Sequence, residues 1–172
     1  MSKLDVVPIV RDHFRTFRND RDGNASVADW LIFVAVPVTF SGIAVRQGFE
    51  VHGLGVLLSA IAILVGLLFN LLVLLFDVAI RFVPARDATT TNVALAVARK
   101  ELVRQTEANT AYEVVVGIAL VVVLATGAAL GKNTLNIWWS ALVILLLTHF
   151  LLTLLMIVKR IRANFAALLS PE

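Results

Sequence analysis

The chain contains no cysteine. Disulfides, iron–sulfur clusters and thiolate zinc sites are therefore excluded, and nothing follows about the redox compartment. There is no P-loop, no glycine-rich dinucleotide fingerprint and no serine elbow. The three histidines, His13, His52 and His149, fall at separate depths of the layout derived below, so no metal site is expected within one chain. No cofactor and no enzymatic activity is expected. Charge is sparse, at 16% of residues and a formal net +3, which is too small by itself to imply nucleic acid. A cleaved signal peptide is not expected either. The stretch before the first apolar run carries Arg11, Arg15, Arg18 and Arg21, and holds no short apolar region with a small-residue cleavage site.

What is abundant is apolar surface. Hydrophobic residues make up 59% of the 172, and the mean hydropathy is +0.90. An ordinary soluble domain is roughly 45–50% apolar, so lipid must solvate much of this chain. Four segments approach the roughly 20 apolar residues that a membrane helix needs. They are 28–45, which carries Pro37, then 54–80, 114–130 and 137–158. Lys3 and the four arginines precede the first span; Arg81, Arg86, Arg99, Lys100 and Arg104 lie between the second and third; Lys159, Arg160 and Arg162 follow the fourth. The two other connections hold only Arg46 and Lys132. The positive-inside rule then places both termini in the cytoplasm.

The expected fold is an all-α integral membrane protein with four transmembrane helices, N-in and C-in. A cytoplasmic arm occupies 1–27, the membrane domain 28–158 and a cytoplasmic tail 159–172. Within the arm, "PIVRDHFRTFR" (8–18) reads as an amphipathic helix with Val10, Phe14 and Phe17 on one side and Arg11, Arg15 and Arg18 beside them. Such a helix lies on the inner leaflet, contacting membrane lipids, or serves as a basic arm for a partner or anionic ligand. Pro84 ends the second helix. Residues 89–113 then run into the third span without a strong breaker, giving a helix of roughly 60 Å, about half of it projecting into the cytoplasm. Val93, Ala94, Val97, Leu102 and Val103 offer it apolar surface but no clean heptad seam.

The second span, "NLLVLLFDVAIRF" at its end, carries polar groups in an apolar helix. Ser59, Gly66, Asn70, Asp77 and Arg81 fall within a sector of roughly 60°. Facing lipid, a central Asp or Arg costs about 2.5–3.5 kcal/mol, so the stripe is expected to face protein or water. Two readings stand. The stripe packs inside a four-helix bundle, with Ser59 and Gly66 permitting close approach and Asn70 bonded to His149 of the fourth span. Alternatively, several copies surround an axis, and Asn70, Asp77, Arg81 and their neighbours, His149 included, line a pore or its gate.

This organisation (four spans, both ends inside, a basic N-terminal arm, an extended cytoplasmic helix and no catalytic domain) resembles the small membrane effectors of bacterial anti-phage defence, most of all that of the Hailong system. The resemblance covers the layout of the whole chain and rests on no short motif. It implies an ion channel of the bacterial inner membrane, a homo-oligomer (a tetramer on this ground alone), held closed by a single-stranded DNA oligomer that a partner nucleotidyltransferase makes. Arg99, Lys100 and Arg104, or Arg11, Arg15 and Arg18, or Lys159, Arg160 and Arg162, would then meet the ligand, and binding would be strongly salt-dependent. The competing expectation is a non-conducting scaffold or accessory subunit that docks a soluble enzyme. A small-solute transporter is the third.

Overall fold

The computed structural model describes residues 5–16, 27–81 and 90–169. They form five helices: α1 Val7–Arg15, α2 Val27–Gln47, α3 Leu54–Arg81, α4 Thr90–Ala129 and α5 Ile137–Leu169. No strand occurs among the described residues. Four helices contain stretches long and apolar enough to span a membrane: Trp30–Gln47, Leu54–Val78, Val103–Ala129 and Ile137–Ala163. The expected spans are thus recovered, and two helices run well beyond them. At about 1.5 Å per residue, α4 is about 60 Å long and α5 about 50 Å, against a hydrocarbon core of about 30 Å. The structure makes α5 continuous to Leu169, where a tail had been expected from residue 159.

The spans form an open row in the order α3–α4–α5–α2, and α1 packs on α4. Although consecutive in sequence, α2 and α3 make no backbone approach to each other. The reason lies in the seams of the inner helices. Along α4 the residues Val103, Thr106, Thr110, Glu113, Gly117, Leu120, Leu124 and Gly127 are all buried, at alternating steps of three and four. α3 buries Leu54, Ile61, Leu68 and Leu75, one every seven residues, and α5 does the same with Val143, Phe150 and Ile157. This 3.5-residue repeat is that of helices packed in coiled-coil fashion. Gly117 brings the backbones together: a Cβ there would collide with Val65 of α3 and stand 3.1 Å from Phe150 of α5. Alanine at Gly127 would stand 2.9 Å from Leu135 and 3.0 Å from Leu54.

At one end of the row the two short connections fasten to each other. Gly53 N–H donates to Asn133 O at 3.1 Å, and Leu135 N–H to Val51 O at 3.1 Å. The buried Ser140 hydroxyl accepts Val51 N–H at 2.9 Å and donates to Leu135 O at 3.1 Å. Gly53, at φ +68°, makes the left-handed turn before α3, and Asn136 caps α5 by accepting Trp139 N–H at 3.1 Å. The opposite end carries α1. Asp5 accepts Val7 N–H at 3.1 Å and Pro8 sits in the first turn, both suited to a helix start.

Candidate functional site

The polar residues of α3 do not pack inside. Ser59, Gly66, Asn70 and Asp77 are exposed, on the side away from the Leu54–Ile61–Leu68–Leu75 seam. A Cβ at Gly66 would meet nothing within 4 Å, so this glycine does not mediate close approach. Ser59 turns its hydroxyl onto Gly55 O of its own helix at 2.9 Å. Arg81 closes α3, and its side chain lies outside the described residues. The reading in which the stripe is internal packing is overturned, and so is the bond between Asn70 and His149. The backbones of α3 and α5 do not approach each other, because α4 lies between them in the row.

His149 belongs to a second polar site, built where α1, α2, α4 and α5 meet. Its Nδ1 lies 3.0 Å from Phe33 O, which only accepts, so Nδ1 carries the hydrogen and Nε2 the lone pair. Tyr112 OH therefore donates to Nε2, at 2.9 Å. Phe33 O has a reason to need a donor. It stands four residues before Pro37, which has no N–H to close that turn of α2. The proline frees a carbonyl and the histidine of a neighbouring helix takes it.

His13 enters the same cluster from α1. It is fully buried, stacks on Tyr112 with ring centroids 3.8 Å apart, and lies 6.3 Å from the His149 ring. The expectation that the histidines lie apart thus fails for this pair: α1 folds back onto α4. Among the described residues no group of three or more His, Cys, Asp or Glu is placed to hold a metal. His13 Nδ1–H donates to Asn109 Oδ1 at 2.9 Å. The Thr16 hydroxyl reaches the same oxygen at 2.9 Å and His13 O at 2.7 Å. Burial, with the positive field of Arg160 and the neighbouring His149, lowers the His13 pKa from 6.5 to about 3, although the Asn109 bond opposes the shift. The imidazole is thus neutral in the packed state.

Around this pair α4 contributes Thr106, Asn109, Thr110 and Glu113, and α5 contributes Thr153, all fully buried. Thr110 and Thr153 donate back to Thr106 O and His149 O, at 2.8 and 3.0 Å. Asn109 Nδ2 and both carboxyl oxygens of Glu113 have no hydrogen-bond partner among the described residues. Sequence reasoning did not single out Asn109 or Glu113. Their signal was present, since Asn109 and Glu113 lie four apart and face inward from the same side of α4. Hydropathy reads them only as the polar start of a span.

The basic candidates divide. Arg160 is half-buried and serves as a strut, donating to Gln105 Oε1 at 2.8 Å and to Thr16 O at 3.0 Å. Arg104 forms a bidentate pair with Glu101, at 2.9 and 2.7 Å, and this pair holds the Glu101 carboxyl below its usual range. Arg15 lies 3.6 Å from Asp12. Arg11, Lys159 and Arg162 are exposed. Arg18 lies outside the described residues, as do the side chains of Arg99 and Lys100. Among the described residues near the α1–α4 contact, Arg11, Arg15 and Arg104 are matched by Asp12, Glu101 and Glu107, so their charge is not segregated. Comparison with protein-family models, with curated proteins and with solved structures returns no match to this chain.

Proposed function

We propose that this chain is the subunit of an oligomeric pore in the bacterial inner membrane, with α3 lining the path and both termini cytoplasmic. The observation that supports this reading is the exposed row Ser59, Gly66, Asn70, Asp77 on α3, an edge helix packed on α4. Lipid is a poor neighbour for that row. Further copies, each turning its α3 toward a common axis, would give it water and polar company. Control by a ligand, a single-stranded DNA oligomer included, belongs to the α1 end, where the two long helices pass beyond the core. There the sites are the exposed Arg11, Arg15, Lys159 and Arg162, with charge segregation supplied by assembly. The α1–α4–α5 platform also favours a second reading, in which the protein is a scaffold for a soluble partner. Ion flux from proteoliposomes holding only the purified protein, with and without short single-stranded DNA, separates them. Flux that Asp77→Asn and Asn70→Leu both change supports the pore. No flux, with a soluble protein co-purifying, supports the scaffold.

A further inference from the structure

Between α2 and the α1-end half of α5 runs a groove of about 350 Å³. Phe33 walls it from α2, and Leu152, Leu155, Met156 and Ala163 wall it from α5. Its polar lining is Lys159 and Arg160. Arg160 is anchored to Gln105 and Thr16, which fixes its charge in place beside the groove. Lys159 is exposed and makes no ion pair among the described residues. It follows directly on the apolar run of α5, at Val158.

We propose that this groove holds one acyl chain of an anionic phospholipid, with its phosphate on the Lys159 ammonium. The walls from Phe33, Leu152, Leu155, Met156 and Ala163 are hydrocarbon, and an alkyl chain gains by lying against them. The cations fix the sign of the head. Lysine meets a phosphate as a compact charge with three rotatable donors, and needs no preset geometry. A second copy packed symmetrically here would set Lys159 and Arg160 against their own equivalents. Like charges across such a contact are unfavourable. The groove lies at the α2 edge of the row, away from α3, so its occupancy does not depend on the pore reading.

Native mass spectrometry of the purified full chain tests this, after reloading with an equimolar mixture of phosphatidylglycerol and phosphatidylcholine of identical acyl chains. The wild-type chain should retain phosphatidylglycerol about fivefold over phosphatidylcholine, the discrimination expected of one lysine near a phosphate. Lys159→Gln should abolish the preference. Met156→Trp should reduce retention of both lipids by filling the groove, and Ala163→Leu is the smaller plug if the tryptophan impairs folding. Equal retention of the two lipids, or a preference that survives Lys159→Gln, would overturn the proposal. So would displacement of phosphatidylglycerol by millimolar inorganic phosphate, which marks a plain anion site. A plug that changes the number of subunits and leaves the lipid count intact would show that a second copy fills the groove.

Discussion

His13 reaches the interior from a nine-residue helix, and its ring is the only buried side chain of α1. Docking of α1 therefore depends on that imidazole staying neutral. Its packed-state pKa, about 3, is below the ordinary 6.5. The unfolded or undocked form thus binds the proton more readily. Stability from this contact is intact above pH 6.5 and falls as pH drops from there toward 3, by up to about 1.4 kcal/mol per pH unit. Amide exchange in α1, corrected for its intrinsic rate, should accelerate across that window. His13→Phe keeps the stack on Tyr112 and should flatten the pH dependence; acid-accelerated exchange in that variant would show that another group controls docking. His149 gives a second test at this scale. His149→Leu removes the hydrogen bond that Nδ1 gives Phe33 O, a loss of about 1–3 kcal/mol. Pro37→Ala restores an N–H to that turn of α2, so the double variant should lose less than the sum, by about 1 kcal/mol in thermal melts. Strict additivity would dissociate the proline from the histidine. Neither pairing was legible in the sequence. His149 and Pro37 were each visible, but the carbonyl that links them is a backbone atom of a third residue.

At the scale of the helix, the seam decides what the sequence revealed. The boundaries of α2 and α3 follow from apolar length, and the structure agrees to within two residues at each end. The continuity of α4 was also legible, because no proline or glycine interrupts residues 90–113. Its heptad was not. The seam continues from the apolar half into the half projecting toward α1 as Thr110, Thr106 and Val103, and a search for apolar positions passes over the threonines. The extension is not a lone stalk, since α1 and the far half of α5 pack against it. In the apolar half of the seam Gly117 brings α4 against Val65 of α3. Gly117→Leu should force α3 from α4 and lower stability by about 1–3 kcal/mol, as overpacked cores do, whereas Gly66→Leu, facing open space, should change the melting temperature little. Equal melting shifts for the two would mean that α3 packs through its other face.

For the whole molecule, hydropathy supplied the number of spans but not their order. One expectation placed the polar stripe of α3 inside a four-helix bundle. The row opens instead between α2 and α3, because α4 carries a long seam and offers α3 the close approach at Gly117 and Gly127. An open row has two edges, and they are unlike. One edge is α2, with Trp30, Val38 and Phe40 exposed, all suited to lipid. The other is α3, where apolar residues flank a line of serine, glycine, asparagine and aspartate. Assembly through the α3 edge hides the costly surface, and assembly through α2 leaves it in hydrocarbon. The absence of cysteine makes the choice measurable, because any introduced thiol is the only one in the chain. In membranes under mild oxidation, Asn70→Cys should give disulfide-linked dimers, since copies that share an axis bring identical α3 positions together. Val38→Cys on the opposite edge should remain monomeric. Cross-linking at Val38 alone would turn the α3 stripe away from any assembly axis and remove the ground for a pore.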